Sequence, residues 1–98
     1  MVIVDTNPAA LRRVSDHIDV QTITGSGSSP AVLEEAGIRE AEILLAVTNR
    51  DETNLVACLM ADIMSSTLKK LARVRSADFD PFHEALREEC PKIDTIIN

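Results

Sequence analysis

Polar residues stand at four places where the sequence leaves a short apolar or β-branched run, and their side chains could bind a ligand. These places are Asp5-Thr6, 25–28, Thr48-Asn49 and 73–76. In open α/β sheets, ligands bind beyond the carboxyl ends of the strands. An acid at such an end can accept hydrogen bonds from both hydroxyls of a ribose. Asp5 is therefore either a ribose ligand or a residue that only forms a turn.

The segment 25–28 contains Gly25 and Gly27, which would let a flat ring or a phosphate approach the backbone closely. The same glycines are equally typical of a permissive turn. The segment is not a dinucleotide-binding fingerprint, because Pro30 stands where the third glycine of that motif would be.

Charged residues follow the later strands. Asp51 and Glu52 come just after Asn49, which we predict to cap a helix, and carboxylates in a first helical turn would repel a phosphate. A ribose or a neutral amide fits that end better. We predict a solvated capping role for both acids, since no histidine or nucleophile accompanies them. Arg73 and Arg75 share one face of a strand end and could pair either with a phosphate or with surface acids.

The histidines and cysteines give little indication of chemistry. His83 falls on a charged helical segment and His17 near a helix end, so we predict both to be solvated. Cys58 and Cys90 are too few for a disulfide scaffold, and without a CxxC motif and with only two histidines we expect no structural zinc site; we predict core or near-core thiols.

These residues are positioned by alternating strands and helices. Apolar or β-branched runs predict strands over 2–4, 20–24, 43–47, 71–75 and 93–97. Helices are predicted to begin after Asn7-Pro8, Ser29-Pro30, Asn49 and Asp80, and Gly37 and Pro91 end two of them. We expect the core face of the longest helix to carry Leu55, Val56, Leu59, Met60 and Ile63. The pattern predicts one α/β domain over 1–98, with a mainly parallel sheet and helices on both faces.

Composition excludes several classes of function. The 98 residues carry a net charge of −6, and 2% aromatic residues offer no stacking platform, so we expect no nucleic-acid partner. No apolar run is long enough to span a bilayer, and the N-terminus lacks a secretory signal, so we expect a cytosolic protein without membrane insertion.

Several segments together resemble a known family. They are Val2-Ile3-Val4-Asp5, the run from Gly25 to Ile38, the run Ala46-Val47-Thr48-Asn49-Arg50-Asp51-Glu52-Thr53-Asn54, and Ala72-Arg73-Val74-Arg75. In this order, over essentially the whole chain, they resemble the nucleotide-binding domain of Trk-type potassium-uptake regulators, also called the RCK or KTN domain. The third run is the most specific.

The resemblance implies a Rossmann-like domain that binds NAD(H) or an adenine nucleotide such as ATP or ADP. It would lie on the cytoplasmic face of a potassium transporter or channel subunit, form at least a dimer, and bias the gate without catalysis. Asp5 would hold the ribose, Ser26 and Gly27 would flank the adenine, and Arg73 would face phosphates or a second ribose. The cofactor-binding residues implied are Asp5, Thr6, Gly25, Ser26, Gly27, Thr48, Asn49 and Arg73.

The chain also departs from that family. Relatives commonly have an acid or amide where Ser26 stands. Their domain begins with a strand, a glycine-rich turn and a helix, whereas this chain begins at what resembles their second strand, and relatives continue into a second, smaller domain. We therefore expect weak or no NAD binding by this chain. We also expect Val2 to Val4 to pair with Ile43 to Val47 across the gap, or the chain to associate with another copy.

Other functions remain open at this point. An association module with a non-functional nucleotide site is the main alternative. An NAD-dependent oxidoreductase remnant would need a substrate-activating histidine or lysine at a strand end. A phosphoacceptor receiver would need a lysine at the end of a later strand.

Overall fold

The computed structural model describes residues 1–65, 68–82, 84–85, 88, 93 and 95–97. Strands and helices alternate along it, as predicted. The strands are β1 (Val2–Asp5), β2 (Gln21–Thr24), β3 (Ile43–Ala46), β4 (Lys69–Arg73) and β5 (Thr95–Ile97). The helices include α1 (Pro8–Ser15), α2 (Pro30–Glu35) and α3 (Asp51–Met64), with a 3₁₀ helix over Ala77–Phe82.

The first two helices begin where the sequence indicates. The Asn7 side chain accepts hydrogen bonds from the Ala9 and Ala10 amides, at 2.9 and 3.4 Å, and Pro8 opens α1. Ser29 caps α2 in the same way, and Gly37 follows that helix at a φ of 84°, which favours glycine. These predictions are confirmed.

The fourth predicted helix differs from expectation. A 3₁₀ helix, with Pro81 inside it, stands where the α-helix was expected to open at Asp80-Pro81. Residues 84, 85 and 88, within the predicted helix, are α-helical. The predictions for His83, Leu86, Cys90 and Pro91 lie outside the described residues.

All strand pairing is parallel among the described residues, but it falls into two sheets. β1 pairs with β2, and the second sheet has the order β3-β4-β5. The predicted pairing of β1 with β3 is wrong. A groove of about 610 Å³ separates the two strands, and side chains of α2 and of the turn after it line the space together with Val4 and Leu44. Backbone edges held apart in this way cannot form a ladder.

The core lies mainly under α3. Its buried face carries Asp51, Asn54, Ala57, Cys58 and Ala61. Cys58 is fully buried, as predicted, and packs with Ala46 and Ala72 of the second sheet and with Val74, which follows β4.

The predicted core face of α3 is wrong in part. Leu55 and Met60 are half-buried and pack against the core. In contrast, Val56, Leu59 and Ile63 are 42, 39 and 71% exposed. Small side chains face the sheet because they let the helix axis approach it closely, which turns the large apolar residues outward.

One face of β3 is also open. Leu44 and Ala46 point to the side covered by α3, while Ile43 and Leu45 on the other side are 61 and 58% exposed. The continuous apolar run of this strand predicted that helices cover both faces of the sheet. At β3, the described residues cover one face only.

Candidate functional site

The candidate residues lie in two groups, one at the carboxyl ends of each sheet. At the first sheet, the Asp5 carbonyl accepts a hydrogen bond from the Gly25 amide at 2.9 Å, which ties the ends of β1 and β2 together. The Asp5 carboxylate is exposed and accepts a hydrogen bond from the Asn7 amide through Oδ1, at 2.9 Å. Thr6 lies between them and is also exposed. Asp5 thus forms a turn, and its role as a ribose ligand stays a prediction.

The two glycines of the 25–28 loop serve different purposes. A Cβ on Gly25 would lie 2.7 Å from Cγ2 of Val32 in α2, whereas a Cβ on Gly27 would meet nothing within 4 Å. The Ser26 hydroxyl is occupied inside the loop, 2.9 Å from the Ser28 hydroxyl and accepting from the Ser28 amide at 3.3 Å. Gly25 is therefore required by packing, and Gly27 leaves open space where a ligand could approach.

We expect the two glycines to differ when each is replaced by alanine. Gly25→Ala should lower the free energy of unfolding by about 2 kcal/mol, because the branched Val32 side chain cannot rotate away freely. Gly27→Ala should change it by less than about 0.5 kcal/mol. Urea unfolding of both variants measures the difference, and equal effects would contradict the packing assigned to Gly25.

At the second sheet, Thr48 is held entirely by protein groups. Its hydroxyl lies 2.7 Å from Asn54 Oδ1 and 3.1 Å from the Arg50 carbonyl, and it accepts from the Arg50 amide at 3.2 Å. Its own amide donates to Asn54 Oδ1 at 2.8 Å. The expected capping arrangement at Asn49 is wrong: the helix cap is Arg50, which makes no side-chain cap bond.

Arg73 and Arg75 have different surroundings. The half-buried Arg73 donates through Nη2 to the carbonyls of Val47 and Thr48, and its Nε is buried without a partner among the described residues. Arg75 is exposed and its Nη2 lies 3.4 Å from Asn49 Oδ1. Asn49 and Arg75 are therefore the exposed pair in this group, while the Arg73 guanidinium supports the end of β3.

Asp51 is buried, so the prediction of a solvated capping role for it is wrong. It is only 7% exposed, and its carboxylate accepts hydrogen bonds from the Arg75 amide at 2.9 Å and the Ser76 amide at 2.7 Å. These hydrogen bonds, that from Arg75 foremost, hold the pKa of Asp51 below its ordinary value. The neighbouring Glu52 is exposed, as predicted. Asp51 thus fastens the loop after β4 to the start of α3.

This carboxylate makes stability depend on pH. Because the pKa of Asp51 is lowered on folding, its stabilisation is full above the pKa of the unfolded chain, about 3.9, and is lost as the pH falls through the lower folded pKa. We expect the melting temperature to fall below about pH 4 more steeply in the unaltered chain than in Asp51→Ala. Parallel curves for the two proteins would contradict this assignment.

Asn54 was also missed as a site residue. It is completely buried on α3, and its side chain contacts the ends of both β3 and β4. A signal was present in the sequence: Asp51, Asn54, Cys58 and Ala61 recur at helical spacing. Residues at this spacing share one face of a helix, and small apolar residues on that face indicate that it is buried. Polar side chains on the same face are then expected to be buried and hydrogen-bonded.

The described residues form neither a metal-ligand cluster nor a membrane-spanning helix. Within the part of the chain that the structure describes, no group of histidine, cysteine, aspartate or glutamate side chains could hold a metal ion. The described helices are also too short or too polar to cross a membrane. His17 is exposed, as predicted.

The sequence model of the TrkA-N domain family matches residues 1–98. The chain belongs to the TrkA-N family. It is 38% identical, over all 98 residues, to the Trk system potassium uptake protein TrkA of Halomonas elongata, and 43% identical over 86 residues to that of Vibrio alginolyticus. These matches cover 100 and 88% of this TrkA-N chain but 21 and 19% of the relatives, so the chain spans about a fifth of their length.

Solved structures agree on the fold of this TrkA-N domain. The GsuK channel bound to NAD superposes with a TM-score of 0.77 over 98% of this chain and 16% of its own, at 19% identity. At that identity the likeness shows the fold alone. It confirms the predicted Rossmann-like arrangement of parallel strands and helices.

Proposed function

We propose that this chain is the nucleotide-binding part of a regulator of potassium uptake, which biases a membrane transporter or channel subunit without catalysing a reaction. The observation that carries the proposal is the placement of the exposed Asp5 and of Gly27, which leaves open space beside it, at one sheet, and of the exposed Asn49 and Arg75 at the other, in a TrkA-N domain. Ligands of open α/β sheets bind at such strand ends.

The ligand we propose is an adenine nucleotide or NAD(H), and we expect the affinity of this chain for NAD(H) to be low, as predicted from its sequence. Among the described residues, Asp5 uses Oδ1 for its turn, which leaves a carboxylate oxygen to accept a ribose hydroxyl. Gly27 offers the open space that an adenine ring needs. The NAD bound to the structurally similar GsuK channel supports this ligand class. Thr48 and Arg73 then shape the site, and the Asn49 and Arg75 side chains are exposed for contact.

The names of the relatives support the setting that we propose. They are potassium uptake proteins of the Trk system, and their name supports a potassium transporter as the membrane partner. We propose that this chain acts on the cytoplasmic side, peripheral to the membrane, through that partner.

The test is a thermal-shift titration with NAD, NADH, ATP, ADP and AMP. A nucleotide present at about 100 times its Kd should stabilise the folded chain by about 2.7 kcal/mol. Asp5→Ala should abolish the shift, while Asp19→Ala, which removes the same charge from another exposed position, should preserve it. A shift that survives Asp5→Ala would contradict the ribose assignment.

A role in association is the second candidate, and the groove between β1 and β3 favours it. Among the described residues, the edges of β1 and β3 that face the groove are unpaired, apolar side chains line it, and Ile43 and Leu45 of β3 are exposed. Open apolar strand edges promote pairing with another chain. We expect light scattering to show a dimer or a larger species. A monomer at all concentrations, together with no nucleotide shift, would contradict both candidates.

A further inference from the structure

The carboxyl ends of β3 and β4 are joined by a buried side chain. The last paired residues of the two strands are Ala46 and Ala72, and beyond them the strand ladder stops. Asn54 takes over at this point: its Nδ2 donates to the Arg73 carbonyl at 2.7 Å and to the Thr48 carbonyl at 3.2 Å. An α3 side chain thus continues the contact between the strands where their backbones separate.

The orientation of the Asn54 amide is fixed by its partners. Its Oδ1 accepts from the Thr48 amide and hydroxyl, at 2.8 and 2.7 Å, and both Nδ2 hydrogen bonds go to carbonyls. Two donors and two acceptor positions are all the amide possesses, so each is used. A fully satisfied buried polar network has one low-energy arrangement, which makes it rigid.

Arg73, at the end of β4, holds the segment that follows β3. Its Nη2 donates to the carbonyls of Val47 and Thr48, so the Thr48 carbonyl accepts from both Asn54 and Arg73. Thr48, Asn54 and Arg73 form a unit that we call the strand-end brace. The exposed Asn49 directly follows Thr48, and the exposed Arg75 lies two residues after Arg73, so both are close in sequence to a member of this brace.

We infer, on the basis of the proposed nucleotide site, that Asn54 is a positioning residue: the strand-end brace sets Asn49 and Arg75 for the ligand before it binds. Preorganised groups bind more tightly because less ordering accompanies binding. Asn54 itself is completely buried and cannot contact a nucleotide. Its loss would weaken binding by releasing the exposed pair.

The test combines two measurements on the 98-residue chain. Calorimetry gives the Kd for ATP and for NADH, and amide hydrogen exchange by NMR, without nucleotide, reports on the backbone of 48–50 and 73–76. Thr48→Val keeps the shape of the side chain but removes the hydroxyl, and Thr48→Ser keeps the hydroxyl. Leu68→Ala serves as a control for stability, because Leu68 is 2% exposed at the opposite end of β4.

We expect Asn54→Ala and Thr48→Val to weaken binding about 10-fold, by analogy with the loss of outer partners of metal ligands. Both should speed exchange across the two segments before any nucleotide is added. Thr48→Ser should behave as the unaltered chain, and Leu68→Ala should lower the melting temperature while keeping the Kd.

Three results would overturn this assignment. One is weaker nucleotide binding by Asn54→Ala and Thr48→Val with unchanged amide hydrogen exchange in the nucleotide-free chain. That result would mean that the substituted side chains act on the nucleotide directly and not by ordering the backbone. Another is an unchanged Kd in Thr48→Val and Asn54→Ala, and the third is an equal loss of affinity in Leu68→Ala. If the unaltered chain binds neither nucleotide, the proposed function fails, and the exchange data alone still decide whether the strand-end brace orders the two segments.

Discussion

Replacing Asp51 by alanine is expected to lower the free energy of unfolding by about 3 kcal/mol. The change would leave the Arg75 and Ser76 amides without the carboxylate that accepts their hydrogen bonds. A partly buried donor that loses a charged acceptor is costly because little water can replace it. Urea unfolding at pH 7, followed by circular dichroism, measures the loss.

Glu52→Ala provides the matched control. Glu52 is the next residue of the same helical turn and carries the same charge, but it is exposed. Its removal should cost less than about 1 kcal/mol, the size of an exposed interaction with the helix dipole. If both variants lost the same stability, Asp51 would act through helix charge alone, and its role in fastening the loop after β4 would be wrong.

The second large effect is expected at Ala61, a fully buried residue of α3 that belongs to one core cluster with Leu33, Ile38 and Leu68. Ala61→Leu should destabilise the chain by about 3 kcal/mol, because the added carbons have no space in this cluster and must push α3 away from the residues packed around it. Chemical unfolding gives the free energy, and the far-ultraviolet spectrum shows whether the fold persists.

Ile63→Ala is the comparison that separates the two possible faces of α3. Ile63 is 71% exposed, so the substitution should change stability by less than about 0.5 kcal/mol. Were Ile63 a core residue, as its apolar pattern indicates, the same change would cost about 2 to 5 kcal/mol. If Ile63→Ala lowered stability by that amount while Ala61→Leu had little effect, the buried face of α3 would be the one that carries Ile63.

The candidate site was predictable only to the level of strand ends. Thr48 and Arg73 are close in space, as adjacent parallel strands require, and both follow from the alternating pattern. Their orientation did not follow, because a side chain at a strand end can turn to solvent or back onto the neighbouring carbonyls. Arg73 turns back onto the carbonyls of β3.

The sequence by itself determined the α/β class, the order of the described elements and the starts of α1 and α2. Those features depend on local chemistry, such as the Asn7 cap and the left-handed Gly37, which neighbouring residues settle. The tertiary structure decided which side of α3 is buried, that Asp51 is inside, and that β1 and β3 stay apart. Such features depend on how closely distant segments approach, and close approach is set by side-chain volume and hydrogen-bond partners far along the chain.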